Sequence, residues 1–249
     1  MNFFRRRVTQ ATNKAALVLL TLGLTISAKA QEPEGASALP DLVPFEATYT
    51  AFKWGDDVGN ATMKLEPLAD KQFSLTYSSR VSKFFLSDER FEHSIFMVDD
   101  DSLVPSQYHY TRTGTGPDSE ITISFEKSPS PTVVVEGKDN LVWEDELDNQ
   151  LYRIDLGRQL AIDKRDLGYD FINYRGQKRH YGIRILGNET LALPFGKLET
   201  IKVKLVRDSK SRQTYAWYSP ELDYQLVRLQ QFKDGDEQGD IKLKAYKRL

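Results

Sequence analysis

The sequence predicts a mainly β protein: a curved antiparallel sheet of about 10–12 strands, forming an open or closed barrel, with one packed α-helix. Three observations carry this. Apolar and polar residues alternate with a period of two in segment after segment, as where Ile201, Val203 and Leu205 interleave with Thr200, Lys202 and Lys204. Turn-forming residues punctuate that alternation roughly every ten to fourteen positions, the rhythm of antiparallel hairpins. Only one segment, from about Asp148 to Asp163, shows the wider apolar spacing of a helix.

In chain order, the opening Met-Asn-Phe-Phe-Arg-Arg-Arg leads into an apolar run from Ala15 to Ile26 and then Ser27-Ala28-Lys29-Ala30. A basic head, a short apolar centre and an Ala-x-Ala end describe a secretory signal peptide cut after Ala30. The apolar run is too short for a membrane span, which needs about 20 residues. Residues 31–41 are small, polar and Pro-bearing, and read as a flexible leader. A single β-barrel-like domain is expected over 42–249. Its first strand alternates Phe45, Ala47, Tyr49 and Ala51 with Glu46, Thr48 and Thr50. Gly55-Asp56-Asp57 turns the chain into Ala61, Met63 and Leu65, and Asp70-Lys71 turns it again into Phe73, Leu75 and Tyr77.

From Arg90 to Val98 the pattern loses contrast: Phe91, His93, Ile95 and Met97 share one face, while Phe96 and Val98 take the other. A strand covered on both sides would read this way. An acidic turn at Asp99-Asp100-Asp101 precedes Tyr108 and Tyr110, and Ile121, Ile123 and Phe125 follow the break at Gly114-Thr115-Gly116-Pro117. In the predicted helix, Leu147, Leu151, Ile154 and Ala161 make one stripe, flanked by Tyr152, Leu156 and Leu160, with Asp148 placed to cap the start. Gly157 weakens it by about 1 kcal/mol relative to Ala. Strands then resume at Tyr169, at Tyr181 and through the C-terminal third, where Ser219-Pro220 stops the segment carrying Tyr215 and Trp217.

Composition narrows the function. Removing residues 1–30 takes away Arg5, Arg6, Arg7, Lys14 and Lys29 and no acidic residue, moving the net charge from −2 to −7. Nucleic-acid binding, which needs a basic stripe, is therefore disfavoured. With no cysteine there are no disulfides, no thiol chemistry and no Cys-ligated metal. The three histidines, His93, His109 and His180, lack metal-ligand spacing, and the acidic turn lacks the Gly and terminal Glu of a calcium loop. Glu144, Asp145 and Glu146 cluster beside Trp143, but adjacency in sequence is not the pairing across a cleft that glycoside cleavage requires. No nucleophile elbow, P-loop or dinucleotide fingerprint is present. No catalytic residue, metal or cofactor is assigned, and an enzyme is not expected.

The aromatics are the stronger signal. Most occupy the apolar phase of their strands, and two roles are open to them: filling a β core, or lining a hollow that a long curved sheet leaves. If there is a hollow, Trp217, Tyr215, Phe171, Tyr181, Tyr49 and Tyr77 are the candidates to line it. Phe84-Phe85-Leu86 cannot all face inward, and mark a candidate lip or partner contact.

Several of these segments resemble an exported proteobacterial family known as domain of unknown function 3108. The likeness lies in Leu193-Pro194-Phe195-Gly196-Lys197-Leu198-Glu199-Thr200, in Arg212 with Ala216-Trp217-Tyr218-Ser219-Pro220, in Val227-Arg228-Leu229, and in the early Phe45-x-Ala-x-Tyr49. Leu226 stands where the family usually has Pro. The resemblance implies a half-barrel like those of periplasmic lipoprotein carriers and brings no catalytic residues. The sequence thus points to a periplasmic, non-enzymatic scaffold for an apolar or lipid-like ligand. The alternative is an envelope protein-interaction module using a sheet edge or the apolar lip. No nucleic-acid partner is expected, and no transmembrane segment after signal cleavage.

Overall fold

Fifteen strands form one sheet in the computed structural model, which describes residues 38–209 and 211–249. The predicted signal peptide lies outside the described residues. The first half of the chain is a meander of β1 (Phe45–Lys53), β2 (Asp56–Pro67), β3 (Gln72–Lys83), β4 (Leu86–Asp99), β5 (Ser102–Gly114), β6 (Ser119–Glu126), β7 (Thr132–Val135) and β8 (Leu141–Val142). The chain then passes through β9 (Leu147–Asp148) and α1 (Leu151–Ala161). A second meander follows: β10 (Leu167–Ile172), β11 (Lys178–Leu193), β12 (Gly196–Val206), β13 (Arg212–Ser219), β14 (Gln225–Lys233) and β15 (Asp236–Arg248). Twelve strands are longer than four residues, matching the upper end of the expected count, and β7, β8 and β9 are short additions.

The order across the sheet is β8 to β1, then β15 down to β9, so the first and last strands pair at its centre. Every pairing is antiparallel except β9 with β10, which run parallel over two residues. That short parallel pair departs from the all-antiparallel expectation. It exists because the chain leaves β8 at one edge and enters β9 at the other. Only residues 143–146 lie between Val142 and Leu147, so the two edges stand no farther apart than about 18 Å of extended chain. The sheet is therefore curled almost onto itself, yet its hydrogen-bonded ladder stays open.

Side chains cover the seam. Ile172 and Tyr174, from the β10 edge, pack with Tyr110, Ile121, Ile123, Phe125, Val133, Val135 and Trp143 from the other edge in a separate apolar cluster. Tyr174 meets Tyr110 at 5.0 Å and Trp143 meets Phe125 at 5.5 Å between ring centres. Gly176, at φ +66°, is fitted so closely that an added Cβ would lie 2.5 Å from the Val135 side chain. The main core lies inside the curl, where strands from both meanders face α1.

Candidate functional site

Helix α1 occupies the concave side of the sheet. Its N-cap is Gln150, whose side chain makes no capping bond, and the predicted cap, Asp148, stands two residues earlier, where its Oδ1 accepts hydrogen bonds from the Gln150 and Leu151 amides at 2.8 and 3.1 Å. The predicted stripe is shifted. Tyr152, Leu156 and Leu160 are fully buried, whereas Ile154 and Ala161 are half-buried at the rim. A helix enclosed by a curled sheet is covered on most sides, so a narrow stripe does not describe it. Gly157 is buried against β14's approach: a Cβ there would stand 2.5 Å from the Tyr224 carbonyl oxygen.

Beneath the helix lies a sealed polar network. Register pairs Leu75 with Ser94 and Tyr77 with Glu92, which turns Glu92 and Ser94 inward with the core. Glu92 Oε2 accepts from Tyr108 Oη at 2.7 Å and from Asn149 Nδ2 at 2.6 Å. Gln150 Nε2 donates to Ser94 Oγ at 2.9 Å and to the Leu75 carbonyl at 3.2 Å. Burial pushes the Asp148 carboxyl up to about 6, against the pull of the two backbone amides it caps. Asp148 Oδ2 and Gln150 Oε1 are buried with no hydrogen-bond partner.

Arg153 links this network to open space. Its guanidinium stands 3.9 Å from Glu92 Oε1, lies over the Tyr77 and Tyr152 rings, and leaves Nε without an acceptor. It lines a cavity of about 240 Å³ between α1 and the ends of β1, β2, β14 and β15. Phe45, Met63, Leu65 and Leu226 give this cavity an apolar floor, and Tyr246 and residues 40–43 border it. Those border residues belong partly to the predicted leader, whose Pro40 carbonyl accepts from Arg158 Nε at 2.9 Å. Arg158 also donates to the Asp101 carbonyl and faces Asp155, so its donors are engaged.

None of the six aromatics expected to line a hollow borders this cavity. Tyr49 and Phe171 are buried in the core, Tyr49 donating to the Leu226 carbonyl at 2.8 Å. Tyr181 packs edge-on against Phe171 at 4.7 Å, and Tyr77 lies beneath Arg153. Trp217 and Tyr215 face away from the helix. Ala216 pairs with the core residue Val203, so its neighbours point outward and pair with Lys202 and Lys204. Trp217 is nonetheless only 2% exposed. The Arg228 guanidinium and Lys202 amine cover its ring at 4.5 and 4.9 Å, and its indole N–H donates to Glu189. The cavity residues carried one signal that sequence reasoning passed over: an arginine between core positions of α1.

The remaining candidates separate clearly. Phe84 and Phe85 are 94% and 91% exposed, and Leu86 is exposed beside them. The acidic cluster is a latch at the seam: Trp143 Nε1 donates to the Glu146 carbonyl, the Glu144 amide to Glu146 Oε2, and Lys178 contacts both carboxylates. His93 and His109 pair across β4 and β5 on the outer face. Among the described residues no cluster of three or more His, Cys, Asp or Glu could hold a metal ion, and no helix is long and apolar enough to cross a membrane.

A family model described as "Protein of unknown function (DUF3108)" matches residues 44–243. No curated protein matches the sequence. Among solved structures, a β-barrel-like protein of the DUF1849 domain of unknown function from Brucella abortus superposes with a TM-score of 0.57 at 9% identity. That match covers 84% of this chain and 99% of the other. A candidate lipoprotein from Parabacteroides distasonis matches with a TM-score of 0.33 at 12% identity, over 84% of this chain and 97% of that one. At such identity the Brucella likeness speaks to the fold alone.

Proposed function

The chain belongs to the DUF3108 family of unknown function, and from that premise we propose that it is a non-enzymatic binding scaffold of the proteobacterial periplasm, exported by residues 1–30, that holds an apolar or lipid-like ligand. The cavity beside α1 carries this reading. Its apolar floor suits a hydrocarbon chain, and the Arg153 and Arg158 side chains in its wall suit a polar or anionic head. Sites that enclose a whole small ligand span roughly 300–1,000 Å³. A cavity of about 240 Å³ takes a chain end, and a longer ligand requires α1 to withdraw.

Native mass spectrometry of the chain purified from periplasm, followed by solvent extraction, tests the proposal. Wild type is expected to retain a small set of amphiphiles, and Ile154→Trp, at the half-buried rim, to lose them while keeping its fold. A clean apo mass, with no uptake of fatty acid supplied in solution, would end the ligand reading. A partner-binding module is the second reading. It rests on the exposed Phe84–Leu86 segment; β8 and β9 offer only two residues each at the sheet edges.

A further inference from the structure

The β3–β4 hairpin continues past the ladders that tie it to its neighbours. β2 pairs with β3 only as far as Val81, and β5 pairs with β4 only from Asp88 onward. The pairs Ser82–Ser87 and Lys83–Leu86 therefore lie past both flanking ladders, with Thr115 still hydrogen-bonded to Ser87 on one side and Asp56 held by Lys83 on the other. Phe84 and Phe85 form the hairpin's tip. Trp54, 63% exposed, tops the β1–β2 hairpin at the same end of the sheet. The Lys83 amine bridges the two tips, standing 3.0 Å from Asp56 and 5.0 Å from the Trp54 ring, while Lys53 lies 4.8 Å from that ring.

The residues chosen for these tips run against the turn chemistry used elsewhere in the chain. Tight turns at Asp70, Asp100 and Asp234 place Asp at the positive-φ position, and local hydrogen bonding makes Asp well suited to it. Trp54 and Phe84 occupy the equivalent positions at φ +55° and +57°, where a bulky side chain is strained. Two adjacent hairpins thus hold large apolar rings out in water at a conformational cost.

We propose that this end of the sheet is a bilayer-docking tip, in which Phe84, Phe85 and Leu86 enter the acyl boundary while Trp54, Lys53 and Lys83 sit at headgroup level. The chemistry is that of membrane interfaces, where Phe and Leu go deepest, Trp takes the boundary and lysine stems reach back toward water. Apolar rings held out at two adjacent hairpin tips suit a fluid surface, which needs only depth. A protein partner would need a matching pocket, and a stable interface of about 800 Å² on this side. The tip's charges also select the mode of binding. Lys53 and Lys83 are balanced by Asp56 and Asp57, so docking depends on apolar insertion and responds weakly to salt and to anionic lipid.

The chain carries its own reporter. Of its three tryptophans, Trp143 and Trp217 are buried and Trp54 is exposed. Mixed with vesicles of phosphatidylcholine, alone or with one-third phosphatidylglycerol, the purified chain is expected to co-sediment, to shift Trp54 emission to the blue, and to be quenched by brominated acyl chains. The Trp54→Phe variant assigns that signal. Phe84→Gly with Phe85→Ser is expected to lower partitioning roughly tenfold or more. It should keep or raise the thermal midpoint, since glycine relieves the positive φ. Partitioning of that variant equal to wild type would overturn the proposal. So would absence of wild-type binding to both vesicles, or tip-dependent cross-linking to a protein partner without vesicle binding. The readout is independent of whether the cavity beside α1 holds a ligand.

Discussion

At the residue scale, Gly157 and Asp148 show how position overrides propensity. Alanine normally strengthens a helix interior, yet at position 157 its methyl would meet the Tyr224 carbonyl oxygen at 2.5 Å, a backbone atom that cannot swing aside. Gly157→Ala is expected to lower the urea midpoint by the equivalent of about 1–3 kcal/mol. Asp148 gives a pH signature. Its carboxyl titrates near 3.8 when unfolded and at about 6 when folded, so the folded protein holds the proton more tightly. The stability this group contributes is complete below about pH 4 and is lost as pH rises through 6, up to about 3 kcal/mol. Asp148→Asn keeps an oxygen for the Gln150 and Leu151 amides and cannot ionise. Urea melts should find it matching wild type near pH 4 and more stable at pH 7.5. The capping role of Asp148 was legible in the sequence. Its raised pKa was not, because burial under a helix by distant strands has no local signature.

At the scale of elements, alternation located strands well but could not say which phase faced in. In β4 the polar phase, with Glu92 and Ser94, is the inner one, because Tyr108, Asn149 and Gln150 satisfy it from other elements. The apolar phase, with Phe91 and Ile95, looks outward. On β13 the largest aromatic also turned out to be external. Trp217 is kept dry by a ladder of long side chains, and Arg228 is fixed over it by two hydrogen bonds to Asp240, at 2.8 and 2.7 Å. Asp240→Ala is expected to release Arg228, red-shift the Trp217 emission and cost about 1–3 kcal/mol by urea titration. By contrast, β2 and β6 could be read directly, since in each the buried phase is apolar and the wet phase polar, whereas in β12 the phase slips so that Thr200 is buried and Ile201 only half-buried.

At the scale of the described body, the number of long strands and the curvature followed from hairpin rhythm, and the single packed α-helix from its wider apolar spacing. The seam did not, since it depends on Ile172 and Tyr174 meeting residues from Tyr110 to Trp143, far earlier in a chain that gives no pairing signal between them. The cavity was equally hidden, being what remains where α1 fails to fill the curl. The pairing of β1 with β15 has a consequence for biogenesis. Synthesis delivers β1 well before the 13 residues of β15, so one flank of β1 stays bare while the thirteen strands between them are made. Until those closing residues arrive, the nascent chain exposes an adhesive strand in the middle of its future sheet. Shielding by a holdase through that interval is what such a topology calls for.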